Sequence, residues 1–242
     1  MTKDSIPGRP RASLRLLHGL ALALALCACS TVAPPSPRGG NPADDWHPVA
    51  LPGKRSTAYQ REYKDGRMAL AARADASASM WRRHMERAGD KLGEAEFSWW
   101  VQALPVDGDV SVAEQGDAAA RVMFAFGGDT SRLSPRNQML FDLAHALTGE
   151  RPPFATLMYV WDAEAPVGSV IHDPRSDRIR KIVVESGSAG LRQWRHYRRD
   201  LGADFRLAFG EAPGALQAMA VMTDGDNTRS QLATWYGDIH LH

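Results

Sequence analysis

The chain has 242 residues, 44% of them hydrophobic and 24% charged, with 29 Lys and Arg against 28 Asp and Glu. That length and composition suit a globular protein with one sizeable core, and a balance this close to neutral excludes the strongly basic profile of a nucleic-acid binder. Cys27 and Cys29 are its two cysteines, so thiolate zinc sites and iron–sulfur clusters are excluded from the rest of the chain.

Both cysteines close an export-type leader. Lys3, Arg9, Arg11 and Arg15 form a basic head, followed by the apolar run Leu16–Leu26. That run is shorter than the roughly 20 apolar residues needed to span a bilayer. The ending Leu26-Cys27-Ala28-Cys29-Ser30 resembles a lipobox, with Leu three residues before Cys29 and a small residue just before it. Residues 1–28 are therefore expected to be a lipoprotein signal peptide, with Cys29 acylated and the chain anchored in the membrane through that lipid. Ser30, in place of Asp, favours the outer membrane. Removing the leader takes four basic and one acidic residue and leaves 25 against 27 in 214 residues. Residues 29–45, rich in Pro and Gly, read as a flexible tether.

Residues 46–242 read as one domain. Thr57–Lys64 looks like an edge strand, and Asp65-Gly66 is a hairpin signal. Arg67–Ser79 alternates with period two and reads as one long strand. Phe97–Ala103 and Arg121–Phe126 follow as strands. Ser134-Pro135 opens a helix whose apolar stripe is Met139, Leu140, Leu143 and Leu147, with Gly149 as its stop. Thr156–Trp161 and Ile179–Glu185, dense in β-branched and aromatic residues, read as paired central strands. On the first, Leu157, Tyr159 and Trp161 share a face. On the second, Lys181 and Glu185 share a face opposite Arg180, Ile182 and Val184. A second helix is expected over Leu191–Phe209, with Arg192, Arg195, Arg198 and Arg199 as its solvated side. Ala215–Thr223 and Thr234–Leu241 complete the strands. Many strands, few helices and frequent Gly/Pro turns predict an all-β-dominated, jelly-roll-like two-sheet β-sandwich with two docked α-helices.

The runs WHPVALPGKRSTAY, ADASASM, ARVMFAFGGD, ERPPFATLMYVWD, DRIRKIVVESG, VMTDGDNT and WYGDI resemble domain-of-unknown-function family 3047, over roughly Asp45 to His242. The resemblance implies an exported bacterial protein and brings no catalytic residues. The ending VMTDGDNT…WYGDIHL is also similar to the last strands of jelly-roll carbohydrate-binding modules.

Three chemistries suit these residues. Sugars stack their C–H faces on aromatic rings, which makes Trp99, Trp100, Tyr159, Trp161, Trp235 and Tyr236 candidates, although such rings more often form cores. A concave face carrying Trp161 and Tyr159, with Lys181, Glu185 and Arg73 as polar partners, is the expected ligand site. Asp224, Asp226 and Asn227 on a tight turn could ligate a structural calcium, although a plain Asx turn also fits and the EF-hand positions are not met. Enzymatic use of Asp75, Glu94, Glu96, Asp162, Glu185 or Asp238 lacks a recognisable spacing. The histidines show no i,i+4 pair, and the stretch around Ser186 and Ser188 is not a nucleophile elbow. The expected function is a non-catalytic binding module for a glycan. The alternatives are a carbohydrate-active hydrolase or lyase on the same fold, and a structural lipoprotein that binds another envelope protein. No cofactor beyond calcium is implied.

Overall fold

A computed structural model describes residues 45–242. The expected signal peptide and its Cys29, with the tether up to residue 44, lie outside the described residues.

The chain enters through β1 (Trp46–Ala50), then forms the hairpin β2 (Ala58–Lys64) and β3 (Arg67–Asp75). Asp65 and Gly66 both have positive φ, 47° and 80°, as a two-residue hairpin turn requires. The long strand expected over Arg67–Ser79 is broken. Ala76, at φ 44°, turns the chain, and β4 (Ser79–Arg87) starts in the other sheet. Next come β5 (Glu94–Val101), β6 (Ala118–Phe126) and helix α1 (Pro135–Thr148). The Ser134 hydroxyl accepts from the Asn137 N–H, and Gly149 closes the helix at φ 75°. Of the four stripe residues, Met139, Leu143 and Leu147 face water, at 64%, 53% and 63% exposed, and Leu140 is half-buried. Asn137 and Phe141 are buried instead, because Asn137 is tied to Asp177 and Ser176 and orients the helix.

β7 (Ala155–Asp162), β8 (Val170–His172) and β9 (Ile179–Ser186) follow. β7 and β9 do pair, in parallel, with Thr156 opposite Ile179 and Tyr159 opposite Ile182. The helix expected over Leu191–Phe209 is half strand. β10 (Trp194–Asp200) pairs with β5, and only α2 (Leu201–Phe209) is helical. Asp200 is the cause of the switch, since its carboxylate accepts from the Ala203 N–H at 2.8 Å as an N-cap. The arginines are divided accordingly. Arg195 and Arg199 turn inward onto Glu185 and Asp204, both at 2.7 Å, while Arg198 stays exposed. β11 (Leu216–Asp224), β12 (Gln231–Tyr236) and β13 (His240–Leu241) end the chain. The last two replace the single strand expected over Thr234–Leu241. Gly237 separates them, so close to β5 that a Cβ would lie 2.3 Å from the Ser98 Oγ.

The result is a jelly-roll-like sandwich. One sheet has the order β1-β4-β11-β6-β7-β9-β8 and the other β10-β5-β12-β3-β2, with β13 also on β5. The layers meet through Phe97, Trp99, Phe124, Leu157, Tyr159, Trp161 and Ile182. Burial of each such side chain is worth about 1.5–3 kcal/mol. Among the described residues, no helix is long and apolar enough to cross a membrane.

Candidate functional site

The five residues expected to hold a ligand do not share a surface. Tyr159 and Trp161 point between the sheets, 0% and 1% exposed. The Trp161 indole donates to the Gly187 carbonyl at 2.9 Å. The Tyr159 hydroxyl donates to Asp204 at 2.7 Å, and burial pushes its pKa well up. A bulge between Val160 and Trp161 sets Glu185 beside Trp161, on the opposite side from Lys181. There Glu185 accepts from Arg195 at 2.7 Å and from the Tyr197 hydroxyl at 2.8 Å. Lys181 is buried on the outer side of β9, where the loop carrying Val110 covers it. Its ammonium donates to the Val110 carbonyl at 2.6 Å and pairs with Asp173 at 2.8 Å. Desolvation lowers its pKa. Arg73 lies on the other sheet, paired with Glu62 at 2.7 Å. The reason is that β7 is covered on both faces, so its aromatic side cannot also be a platform.

The acidic turn is drawn together differently from the expectation. Asp117, Asp224 and Asp226 each place a carboxylate oxygen within 4.8 Å of the others. Asn227 contributes its backbone N–H, which donates to Asp117 at 3.3 Å. Asp117 also accepts from the Thr228 N–H and hydroxyl, each at 2.7 Å. Asp224 accepts from Arg121 at 2.9 Å and from the Ala118 N–H at 3.0 Å, and Lys54 pairs with Asp226. Burial raises the Asp224 pKa to about 6 against the pull of Arg121. These three carboxylates are the set that could hold a small cation; Arg121 and Lys54 already supply positive charge to two of them.

A cleft stands open where β1 and β4 face β2 and β3. Its volume is about 620 Å³, and its walls include Trp46, Trp81, Arg61, Arg83, Asp238 and His240. Strand register explains the grouping. Trp46 lies opposite Arg83 across the β1–β4 ladder, and Trp81 lies two residues before Arg83 on the same face of β4. The Trp81 ring packs on Tyr59 at 5.6 Å, and the Tyr59 hydroxyl is anchored on the Ser79 carbonyl at 2.6 Å. Tyr236 closes the floor, its hydroxyl donating to the Met222 carbonyl at 2.6 Å. Arg61 and Asp238 approach to 3.4 Å at the mouth, where both are largely exposed. Arg83 is half-buried, makes no ion pair among the described residues, and has a buried Nε without a partner.

The sequence reading missed Trp46, Trp81 and Arg83. One signal was available: MWRRHMER alternates Trp81, Arg83 and Met85 with Arg82 and His84, a strand pattern with a cation on its inner side.

Two other surfaces are of a different kind. On the outer face of the second sheet, Trp194, Trp100 and Trp235 fall in one register row. Lys64 lies over Trp100 at 3.5 Å and Arg67 over Trp194 at 4.1 Å, so the rings are capped by the protein's own cations. On the outer face of the first sheet, a groove of about 550 Å³ has a floor of Met123, Met158, Ala125 and Ala220. Its edge is Arg82, which holds Glu150 through two bonds of 2.8 and 3.1 Å.

Residues 44–240 match the family described as "Protein of unknown function (DUF3047)". The chain belongs to that family. No curated protein matches it in sequence. Among solved structures it is similar to the family 11 carbohydrate-binding module of the cellulase Lic26A-Cel5E of Clostridium thermocellum. Identity there is 9%, covering 81% of this chain and 86% of that one, at a TM-score of 0.38. It is also similar to a cellulase derived from Cel12A of Rhodothermus marinus, at 12% identity over 83% and 94% of the two chains and a TM-score of 0.42. The xyloglucanase domain of NopAA from Sinorhizobium fredii gives 6% identity over 81% and 98%, at a TM-score of 0.37.

Proposed function

We propose that this protein is a lipid-anchored lipoprotein of the bacterial outer membrane, and that its sandwich is a non-catalytic module binding a glycan in the cleft between β1/β4 and β2/β3. The leader pattern ending at Cys29 supports the anchor, and mass spectrometry of the mature N-terminal peptide reads its acylation directly.

One observation carries the binding reading: two half-buried tryptophans flank an unpaired guanidinium in a concave space of about 620 Å³. Flat rings and forked hydrogen-bond donors, set side by side, match the flat C–H faces and the hydroxyls of a sugar. Asp238 is the one carboxylate among the cleft's lining residues, so the pair of acids that glycoside hydrolysis uses is not assembled there. The test is calorimetry on a broad glycan panel with wild type and Trp81→Ala. A saturable ligand is expected, lost in a variant whose circular dichroism is unchanged. A panel without binding, or a Trp81→Ala variant that binds as wild type does, sinks the reading.

A second reading has its own observation. The exposed stripe Met139, Leu143 and Leu147 on α1 suits a protein partner in the envelope.

A further inference from the structure

Most of the charged side chains that face the interlayer space have their charge answered. Arg195 and Arg199, inward from β10, each hold a carboxylate at 2.7 Å. Arg87, on the same side of β4 as Arg83, donates to the carbonyls of Leu92, His242 and Leu241 at 3.2, 3.2 and 3.3 Å. Arg83 has neither kind of partner among the described residues, and its Nε is buried without an acceptor. A guanidinium N–H withdrawn from water and left without an acceptor is costly, and an arriving anion can relieve that cost.

The surroundings favour an anion over a neutral group. The cleft's formal charges are the guanidinium groups of Arg61 and Arg83 against the single carboxylate of Asp238, with His240 beside them. Arg61 and Asp238 are 53% and 65% exposed and meet only at 3.4 Å. Such a surface pair is weak, so Arg61 is free to turn toward a ligand. The guanidinium fork matches a carboxylate in two parallel bonds. Trp46 stands one strand spacing from Arg83, and Trp81 two residues away along β4, on the same face. These backbone spacings, about 5 and 7 Å, set both indole rings beside the guanidinium.

We propose that the ligand of this cleft carries a carboxylate on a sugar ring, as uronic-acid residues do, and that Arg83 is the group that selects it. This rests on the cleft being a glycan site, and it names the class of glycan. Bound ligand places its carboxylate on the Arg83 fork and its ring on Trp46 or Trp81. Arg61 supplies the second positive charge at the mouth.

The test titrates the full chain, purified in detergent, with oligogalacturonate, oligomannuronate and oligoglucuronate, each beside its methyl ester. Tryptophan emission and calorimetry are the two readouts. At least one free acid is expected to bind about tenfold or more tightly than its ester, in keeping with one charge-assisted pair. Arg83→Gln is expected to abolish the acid's advantage, so that acid and ester bind this variant equally. Arg83→Lys, which keeps the charge and loses the fork, falls between wild type and Arg83→Gln. Ligand-free Arg83→Gln is expected to melt no lower than wild type, because it removes an uncompensated charge; a clear drop assigns Arg83 a structural role and overturns the proposal. Esters or neutral oligosaccharides that bind as well as the acids overturn the acidic class and leave the glycan reading standing. Monomeric galacturonate or acetate competing as strongly as the oligomers shows a simple anion site, which also overturns it. If neither the acids, nor their esters, nor the neutral panel bind, both readings fall.

Discussion

At the edge where β9 faces β10, the space between the sheets is filled: α2 brings in Leu201 and Phe205, and Phe205 meets Phe126 at 4.7 Å. Asp204 of the same helix ties down Tyr159 and Arg199. At the opposite edge, where β1 and β4 face β2 and β3, the same interlayer space opens as the cleft. Both ends carry tryptophan and arginine on inward-facing strand positions. At the first end Trp99 and Trp161 lie 6.4 Å apart, fully buried, and Arg195 and Arg199 each hold a carboxylate. At the second, Trp46 and Trp81 are half-buried and Arg83 is unpaired. Residue type is therefore no guide to role here. What decides is whether a helix plugs that end of the sandwich.

The largest expected effect tests this division directly. Trp161→Ala empties a packed site and leaves the Gly187 carbonyl without its donor. It should lower unfolding free energy by about 3–5 kcal/mol, read as a shift of the urea midpoint, with glycan affinity of the folded fraction unchanged. Trp81→Ala should show the reverse pattern, with a small stability change and lost binding. If the two variants exchange these behaviours, core and site have been assigned to the wrong ends.

The same division explains what the sequence made legible. Strands whose inner face is purely apolar, such as β6 and β7, are visible from alternation and composition alone. The β2–β3 turn is visible because Asp-Gly suits two successive positive φ values. β4 escaped because its inner face carries Arg83 among Trp81 and Met85, and a site that breaks the apolar pattern hides the strand that bears it. β10 carries a helical period in the sequence because Trp194, Tyr197, Leu201 and Phe205 recur every three or four residues, although Asp200 is a readable N-cap. Placing Trp161 in a binding face failed for another reason. Alternation shows that a strand has two faces, but not that both will be covered. That depends on the loop carrying Val110 and on α2, whose positions are set by contacts distant in sequence.

A smaller effect is expected from the acidic turn, which borders neither end. Asp224 has its folded pKa raised to about 6 by burial, above the ordinary carboxylate value near 4 in the unfolded chain. Between these values the folded state holds more protons than the unfolded one. The contribution of Asp224 to stability is therefore greatest below about pH 4 and is lost as pH rises through about 6. The measurement is the urea midpoint of wild type relative to Asp224→Asn from pH 4 to pH 7. Wild type should lose about 1–3 kcal/mol relative to the variant across that window. Position 224 does not titrate in the variant, so the lost pairing with Arg121 adds only a constant offset. A difference that stays flat would mean that the Arg121 pairing, and not burial, governs the carboxylate.

The smallest effect belongs to α1, outside both ends of the interlayer space. Leu143 is 53% exposed and sits between Met139 and Leu147 on the helix surface. Leu143→Glu should change stability by no more than about 0.5 kcal/mol and leave glycan affinity untouched, because the residue contributes to neither the core nor the cleft. If the stripe receives a protein partner, cross-linking in envelope extracts should lose one adduct in this variant and keep it in Trp81→Ala. An adduct that survives Leu143→Glu and disappears with Trp81→Ala would move the partner to the cleft and erase the separation between the two surfaces. Loss of stability well beyond the expected half kilocalorie would instead show that the stripe packs against the domain in solution.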